Sequence, residues 1–466
     1  MNTKLKTWMA AGATLALAAA CSSPENESFL EDEPGVTADR AFVNGPLYLT
    51  GAFDGSKAFR MWHGTTEFTR DFEREFGKPL KFTYFINSAY YDHTVTGSWI
   101  GTSQNAEESM VRFAITQQAI NEGHEIGNHT VRHRDGTEWT AEQWRTELQQ
   151  FHTLMDANLF KPVLDQDGKP VFPRWESMPS AAAGEVGHSC ASDGECDSGR
   201  CIEIAPEQSF CTTGCNSNLP CANGTVCGAS NWNESQDICY PAPQFPVEHN
   251  GEVLFDENGA PNLASSQLET YPIIGFRAPQ LGHDSPLFGV LSEFGYRYDT
   301  TKILRPGPPS RVRHGNQTFS DIYEFALMKH EGSRTIPMDY NYKVNDASGD
   351  RMISDYKRSV RSAYALGRQP WNIGHHFSLW RGGSYWQAMK DTFRYAAQGC
   401  PEAGGLTCAE VEFPTFVELT NTLDGISAGN GGETGDASDV FAASGQEVID
   451  LTVGESGCAE HDTHEE

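Results

Sequence analysis

Eight cysteines, Cys190, Cys196, Cys201, Cys211, Cys215, Cys221, Cys227 and Cys239, fall within one stretch of fifty residues. No other feature limits the fold so sharply. The stretch is also rich in Gly, Ser and Asn, and a segment so polar cannot bury enough apolar surface to hold itself together, so covalent cross-links must supply what a core would. It contains no Cys-x-x-Cys spacing, so four disulfides are the expected use of these thiols rather than a structural zinc site. The pairing stays open at this level. Cys400 and Cys408 are spaced to close a local loop, and Cys458 has no evident partner.

Disulfides require an oxidising compartment, and the N-terminus agrees. Lys4 and Lys6 precede an apolar run from Trp8 to Ala20, ending at Cys21. This is the layout of an export signal. Leu17-Ala18-Ala19-Ala20-Cys21 resembles a bacterial lipoprotein cleavage box, which implies a lipid on Cys21 and a place in the cell envelope. Ser22 to about Arg40 is polar and acidic and reads as a flexible tether. After the first 20 residues no apolar run approaches the about 20 needed to span a bilayer. With 63 acidic against 34 basic side chains the chain carries a formal charge of −29. Such a surface repels nucleic acid and anionic head groups, so neither is an expected partner.

On both sides of the cysteine cluster the chain alternates strand-like and helix-like patterns. Leu47–Phe53 and Leu80–Asn87 are apolar or aromatic runs, and Glu107–Asn121 is helical and stops before Gly123. His124–Gly127 reads as a short strand, followed by a helix opened by Thr140 with Gln143 three residues on, a capping box. Beyond the cysteines come a strand at Ile273–Phe276 and a helix capped at Ser285-Pro286 and stopped at Gly295. Ile322–Leu327, Thr335–Met338 and Trp371–His375 read as strands. Ser354–Leu366 and Gly383–Gln398 read as helices, the latter the final long one before Val411–Asn421. The fold class is therefore α/β, a (β/α) barrel with a parallel sheet. Its expected layout is a signal peptide and anchor (1–21), a tether (22–43), a first barrel half (44–184), the cysteine insertion (185–245), a second half (246–424) and an acidic, disordered tail (425–466).

Polar groups gather where the strands end, the edge at which such barrels carry their active sites. Asp54 follows the first strand. Asn128-His129-Thr130-Val131-Arg132-His133 follows the third and sets two imidazoles four residues apart, a spacing suited to a shared metal ion. Arg277-Ala278-Pro279, Tyr298-Asp299-Thr300 and Gly374-His375-His376-Phe377 follow later strands.

The order of these motifs resembles the polysaccharide deacetylases, the family-four carbohydrate esterases, over roughly Leu47 to Leu423 outside the cysteine module, and looks closest to the chitin-deacetylase-like branch. The resemblance rests on Asp54, on Gly123-His124-Glu125-Ile126 with His129 and His133, on Arg277-Ala278-Pro279, on Asp299 and on His376. It implies a distorted barrel of that type and a hydrolase that removes N-acetyl or O-acetyl groups from an acetylated polysaccharide. It further implies a divalent ion, zinc by preference, on Asp54, His129 and His133, with His376 rather than His375 as general acid. Arg277 and Asp299 would form a buried pair that tunes the base, and a backbone N–H near Gln280 would help hold the oxyanion.

One departure stands out. The family places two consecutive aspartates before glycine, the first as base and the second as metal ligand, whereas this chain reads Phe53-Asp54-Gly55. Aligned on the glycine, Asp54 is the ligand and Phe53 takes the base's place, which predicts slow turnover. Phe53→Asp should then raise the rate. Slipped by one residue, Asp54 is the base and the metal site is weakened. Asp71, Asp92 and Asp135 are other acids that could serve. Trp371, Trp380, Tyr385 and Trp386 surround the late histidines, as sugar-stacking faces or as core. The alternative function is a catalytically inactive glycan-binding or adhesion lipoprotein on the same scaffold.

Overall fold

A computed structural model describes residues 45–228, 236–330, 333, 335–402 and 405–429. The signal peptide, the tether, Cys21, Cys458 and all of the tail beyond Gly429 lie outside these residues. The barrel begins with β1 (Leu47–Asp54), α1 (Phe59–Phe76), β2 (Phe82–Ile86), α2 (Ala106–Asn121), β3 (Glu125–Asn128) and α3 (Ala141–Met155). After a long insertion it resumes with β4 (Gly275–Phe276), α4 (Ser285–Glu293), β5 (Tyr298–Asp299), β6 (Ser310–His314) and β7 (Gln317–Glu324). It ends with α5 (Asp339–Val344), α6 (Gly349–Ala365), β8 (Trp371–His376), α7 (Ser384–Ala397), β9 (Val411–Glu412) and α8 (Phe416–Gly429).

The strands form one curled sheet in the order β6-β7-β5-β4-β3-β2-β1-β8, with β9 beside β1. All pairings are parallel except β6 with β7. β8 meets the chain beyond β7 through side chains and a single bridge rather than a full ladder. Asn372 donates to the carbonyls of Phe325 and Ala326, and Met338 bridges Gly374. Hence the barrel is distorted. Its strands are short because polar groups take over where each one ends, and the Thr335–Met338 stretch supplies only that one bridge.

Strand alternation divides β1 between two environments. Leu47, Leu49 and Phe53 face the helices and join the main apolar core with Trp62, Phe82 and Trp386. Ala52 faces inward with Phe85, Tyr298, Tyr323 and Phe325. The interior is narrow: a Cβ on Gly275 would lie 1.9 Å from Tyr298, so only glycine fits there. Phe416, Leu419 and Leu423 of α8 close the inward cluster from the chain's C-terminal side. The reading that ended regular structure at 424, with Gly383–Gln398 as the last helix, is thus corrected. Glu125 accepts from Val417 N–H (3.0 Å) at the start of α8, which the apolar residues after Val411 continue.

Helix boundaries follow local chemistry. The Thr140–Gln143 capping box is present, and Gly295, with φ 76°, follows α4. The cap of α4 is Asp284 rather than Ser285, because Asp284 accepts from the Ser285 N–H and Pro286 sits inside the first turn.

The cysteine insertion contains a hairpin, Cys201–Ala205 with Gln208–Cys211, and a small sheet of Gly214–Cys215, Asp237–Tyr240 and Val226–Cys227. Its bridges are Cys190–Cys201, Cys196–Cys211, Cys215–Cys227 and Cys221–Cys239, and Cys400 pairs with Cys408. A second small cluster of Phe160, Val247, Leu254 and Phe255 packs within the same interruption.

Candidate active site

Asp54 is the last residue of β1, and lies in register with His376, the last of β8. Parallel neighbours in register point the same way, so a carboxylate and an imidazole stand side by side where both strands end. Asp54 is 5% exposed and accepts from Arg277 Nη1 at 2.7 Å. Burial opposes its charge, but Arg277, then His129 and His376, outweigh that and hold the carboxyl below the ordinary range. Arg277 itself is fully buried, lies over the Phe85 ring at 4.6 Å, and donates from Nε to Thr300 Oγ1 at 2.6 Å. A guanidinium so enclosed keeps its orientation, and so keeps Asp54 ionised.

His376 is 29% exposed at the side chain and gives its Nδ1–H to Asp339 Oδ1 at 2.6 Å. Its own backbone N–H reaches Asp339 Oδ2 at 3.1 Å. Asp339 is fully buried, and although burial opposes ionisation, His375 and His376 draw its carboxyl down to about 2. A fixed carboxylate on Nδ1 leaves Nε2 as the working nitrogen and stabilises an imidazolium. Sequence reading missed Asp339. The signal available was an acid directly after the apolar stretch Ile336–Met338.

His375 is fully buried, in register with Phe53, and on the helix-facing side of the sheet. Its ring packs 5.6 Å from Phe53 and 5.9 Å from Trp386. His376, on the other face of β8, is the one that stands beside Asp54.

His129 donates Nδ1–H to the Arg277 carbonyl at 2.8 Å, which leaves the Nε2 lone pair free. Its ring lies 5.0 Å from that of His133. Burial lowers His129 to about 4 and His133 to about 3, so both are neutral, as ligands must be. Asp54 gives its Oδ1 to Arg277, and the donor atoms of Asp54, His129 and His133 do not all come within 4.8 Å of one another. Among the described residues the trios that do are Cys190, Cys196, Cys211 and Cys215, Cys221, Cys239, whose sulfurs are in disulfides. The three donors expected from the sequence to hold zinc are therefore not all gathered at coordination distance as they stand.

Two further expectations are corrected. Phe53 does not occupy the place of a base. It is fully buried, with Phe82, Trp386, Tyr84 and Phe377 at 5.1, 5.5, 5.7 and 5.7 Å, on the opposite face of β1 from Asp54. Asp299 does not pair with Arg277. Tyr298 takes the inward position of β5, and Asp299 accepts instead from Thr301 Oγ1 (2.7 Å) and the Thr301 N–H (2.8 Å). Asp71 lies on the surface with Arg74, while Asp92 and Asp135 cap their own turns at Thr94 and Thr137.

Trp371, Trp380, Tyr385 and Trp386 are all buried, which makes them core rather than open stacking faces. The exposed aromatic at the rim is Trp99, 48% exposed, its ring 6.0 Å from His133 and inclined by 21°. No periodicity marks it in sequence, since it stands alone in a loop.

Residues 78–163 match a family model described as polysaccharide deacetylase. The matched segment includes His129 and His133 and excludes Asp54, Arg277 and His376. No curated protein matches the chain. Among solved structures, a family 4 carbohydrate esterase from Streptomyces lividans is 11% identical, covers 79% of this chain and 99% of its own, with a TM-score of 0.30. A chitin deacetylase from the fungal pathogen Colletotrichum lindemuthianum is 9% identical, with coverages of 80% and 88% and a TM-score of 0.34. A CE4 family pseudoenzyme from Bacillus anthracis is 7% identical, with coverages of 80% and 66% and a TM-score of 0.35.

Proposed function

We propose that this chain, a polysaccharide deacetylase by its ordered motifs and by the family match over residues 78–163, hydrolyses acetyl groups on an extracytoplasmic polysaccharide with Asp54 as base and His376 as acid. The observation that carries the assignment is the in-register pair at the ends of β1 and β8, with one member held ionised by Arg277 and the other oriented by Asp339. Asp54 takes a proton from the attacking water as the water adds to the acetyl carbonyl. The His376 imidazolium, stabilised by Asp339, returns a proton to the departing nitrogen or oxygen, since an amine leaves poorly without one. General acid–base action of this kind contributes about 10²–10⁴-fold.

Polysaccharide deacetylases are generally metal-dependent. An ion here, zinc by its affinity for imidazole, would rest on His129 and His133, and no step above depends on it. Export and a lipid on Cys21 would place the reaction at the cell envelope.

The test is acetate release from N-acetylglucosamine oligomers by the full chain with its disulfides formed. Turnover that disappears in Asp54→Asn and falls in His376→Ala supports the reading. Binding of the oligomers without release of acetate rejects it in favour of a glycan-binding lipoprotein.

A further inference from the structure

The N-terminus of α1 begins only five residues after Asp54, and its own cap position is Ala58, which has no side-chain acceptor. No acid stands in its first turn either. The missing acceptor comes from the cysteine insertion, far away in sequence. Asp237 Oδ2 accepts from Phe59 N–H at 3.0 Å and Asp237 Oδ1 from Arg60 N–H at 2.7 Å. Asp237 is 1% exposed, and its placement is cross-braced: it pairs with Cys215 in the small sheet, and Cys239, two residues on, is bridged to Cys221. The contact is close-packed. A Cβ on Gly228 would lie 2.3 Å from Asp237 Oδ2 and 2.7 Å from the Phe59 ring, and Tyr240 packs its ring 5.8 Å from Phe59.

The turn between Asp54 and α1 is held from the other side by α2. Arg112 donates to the carbonyls of Ser56 and Lys57, and its guanidinium lies 4.9 Å from the Phe59 ring. Trp62 Nε1 donates to the Ser56 carbonyl at 3.0 Å.

We infer that the disulfide insertion serves as the N-terminal cap of α1, and that Asp237 is a positioning residue which fixes the turn leading out of the Asp54 strand. On this account the insertion is part of the catalytic apparatus, since the backbone that sets the Asp54 carboxylate is clamped between Arg112 and Asp237. The inference rests on the proposed role of Asp54 for its effect on rate, but not for the clamp itself.

Amide hydrogen exchange on the full oxidised chain separates the two. In Asp237→Ala, exchange over residues 55–62 should rise about tenfold, the consequence of losing a buried cap, while α6 (349–365) keeps its wild-type protection. Asp237→Asn, which retains one acceptor, should fall between. Acetate release by Asp237→Ala should drop in kcat with KM within about twofold, because a misplaced base weakens the transition state rather than substrate binding. Wild-type exchange at 55–62 in Asp237→Ala overturns the clamp, and so does a rise shared equally by α6, which would mean general loosening. A wild type that releases no acetate rejects the hydrolase reading while the exchange measurement still decides the clamp.

Discussion

The two faces of β1 are built from neighbouring residues and obey opposite rules. On the helix side Phe53 is enclosed by aromatic rings, and what counts is volume and shape. On the inner side Asp54 is equally enclosed, and what counts is charge balance with Arg277. The same division of faces runs through β8, where the His375 ring packs in the aromatic layer, its Nδ1 also 3.3 Å from Asp339, and His376 lines the site. A one-residue shift therefore changes the physics altogether, although the two positions share one strand.

The sharpest way to break this comparison is Asp54→Asn, which keeps the shape and removes the charge. Acetate release should fall by about 10²–10⁴-fold. The thermal midpoint should drop too, because Arg277 is left as an unpaired buried cation, and a calorimetric scan would show it. Full retention of turnover would remove Asp54 from the reaction.

Next is Phe53→Asp. Were Phe53 in the base's place, this change would speed the enzyme. Its enclosure predicts the reverse: a loss of about 3–5 kcal/mol in denaturant unfolding, from the missing ring and a carboxylate without a partner, and no gain in rate. A faster variant of undiminished stability would restore the glycine-aligned reading.

Asp339→Asn tests the second half of the pair. It keeps the packing but weakens the hold on His376 Nδ1, and kcat should fall about 10–100-fold with KM little changed, measured on the same oligomers. The smallest expected effect belongs to Gly55→Asp. Gly55 has φ 80° and open space around its Cβ position, so a side chain fits at a backbone cost of about 1–2 kcal/mol. It adds a carboxylate directly after Asp54, where the family's second aspartate stands in the slipped alignment. Zinc titration by calorimetry should then show tighter binding than in the wild type.

Much of the scaffold was legible because its signals are local. Apolar runs that end in polar clusters marked β1, β2, β3 and β8, and Thr140 with Gln143 marked the start of α3. The site was legible as a set of strand ends and misread in its details. Alignment on a glycine says nothing about the pleat, and period-two counting from Leu47 and Leu49 would have put Phe53 in the core and Asp54 inside. The same count from Tyr298 turns Asp299 away from Arg277. Asp339 lies 37 residues from His376 in sequence, and its partnership exists only once Met338 bridges Gly374. The disulfide pairs are likewise set by which strands meet in space, as is the cap that Asp237 lends to α1.

The seal of the barrel by α8 carries a consequence for the order in which the molecule can form. Phe416, Leu419 and Leu423 complete an apolar cluster whose other members include Ala52 and Phe85. β1 likewise waits for β8, since Leu49 pairs with Trp371 and Asp54 with His376. A nascent chain that has delivered β1 through β3 still lacks both the strand that flanks β1 and the helix that closes the interior. Early folding is left to the short-range loops of the cysteine insertion, while the site assembles only when nearly the whole chain is present. Contacts of such long sequence separation make for slow, late closure, and the half-made barrel exposes an unpaired strand edge throughout that interval.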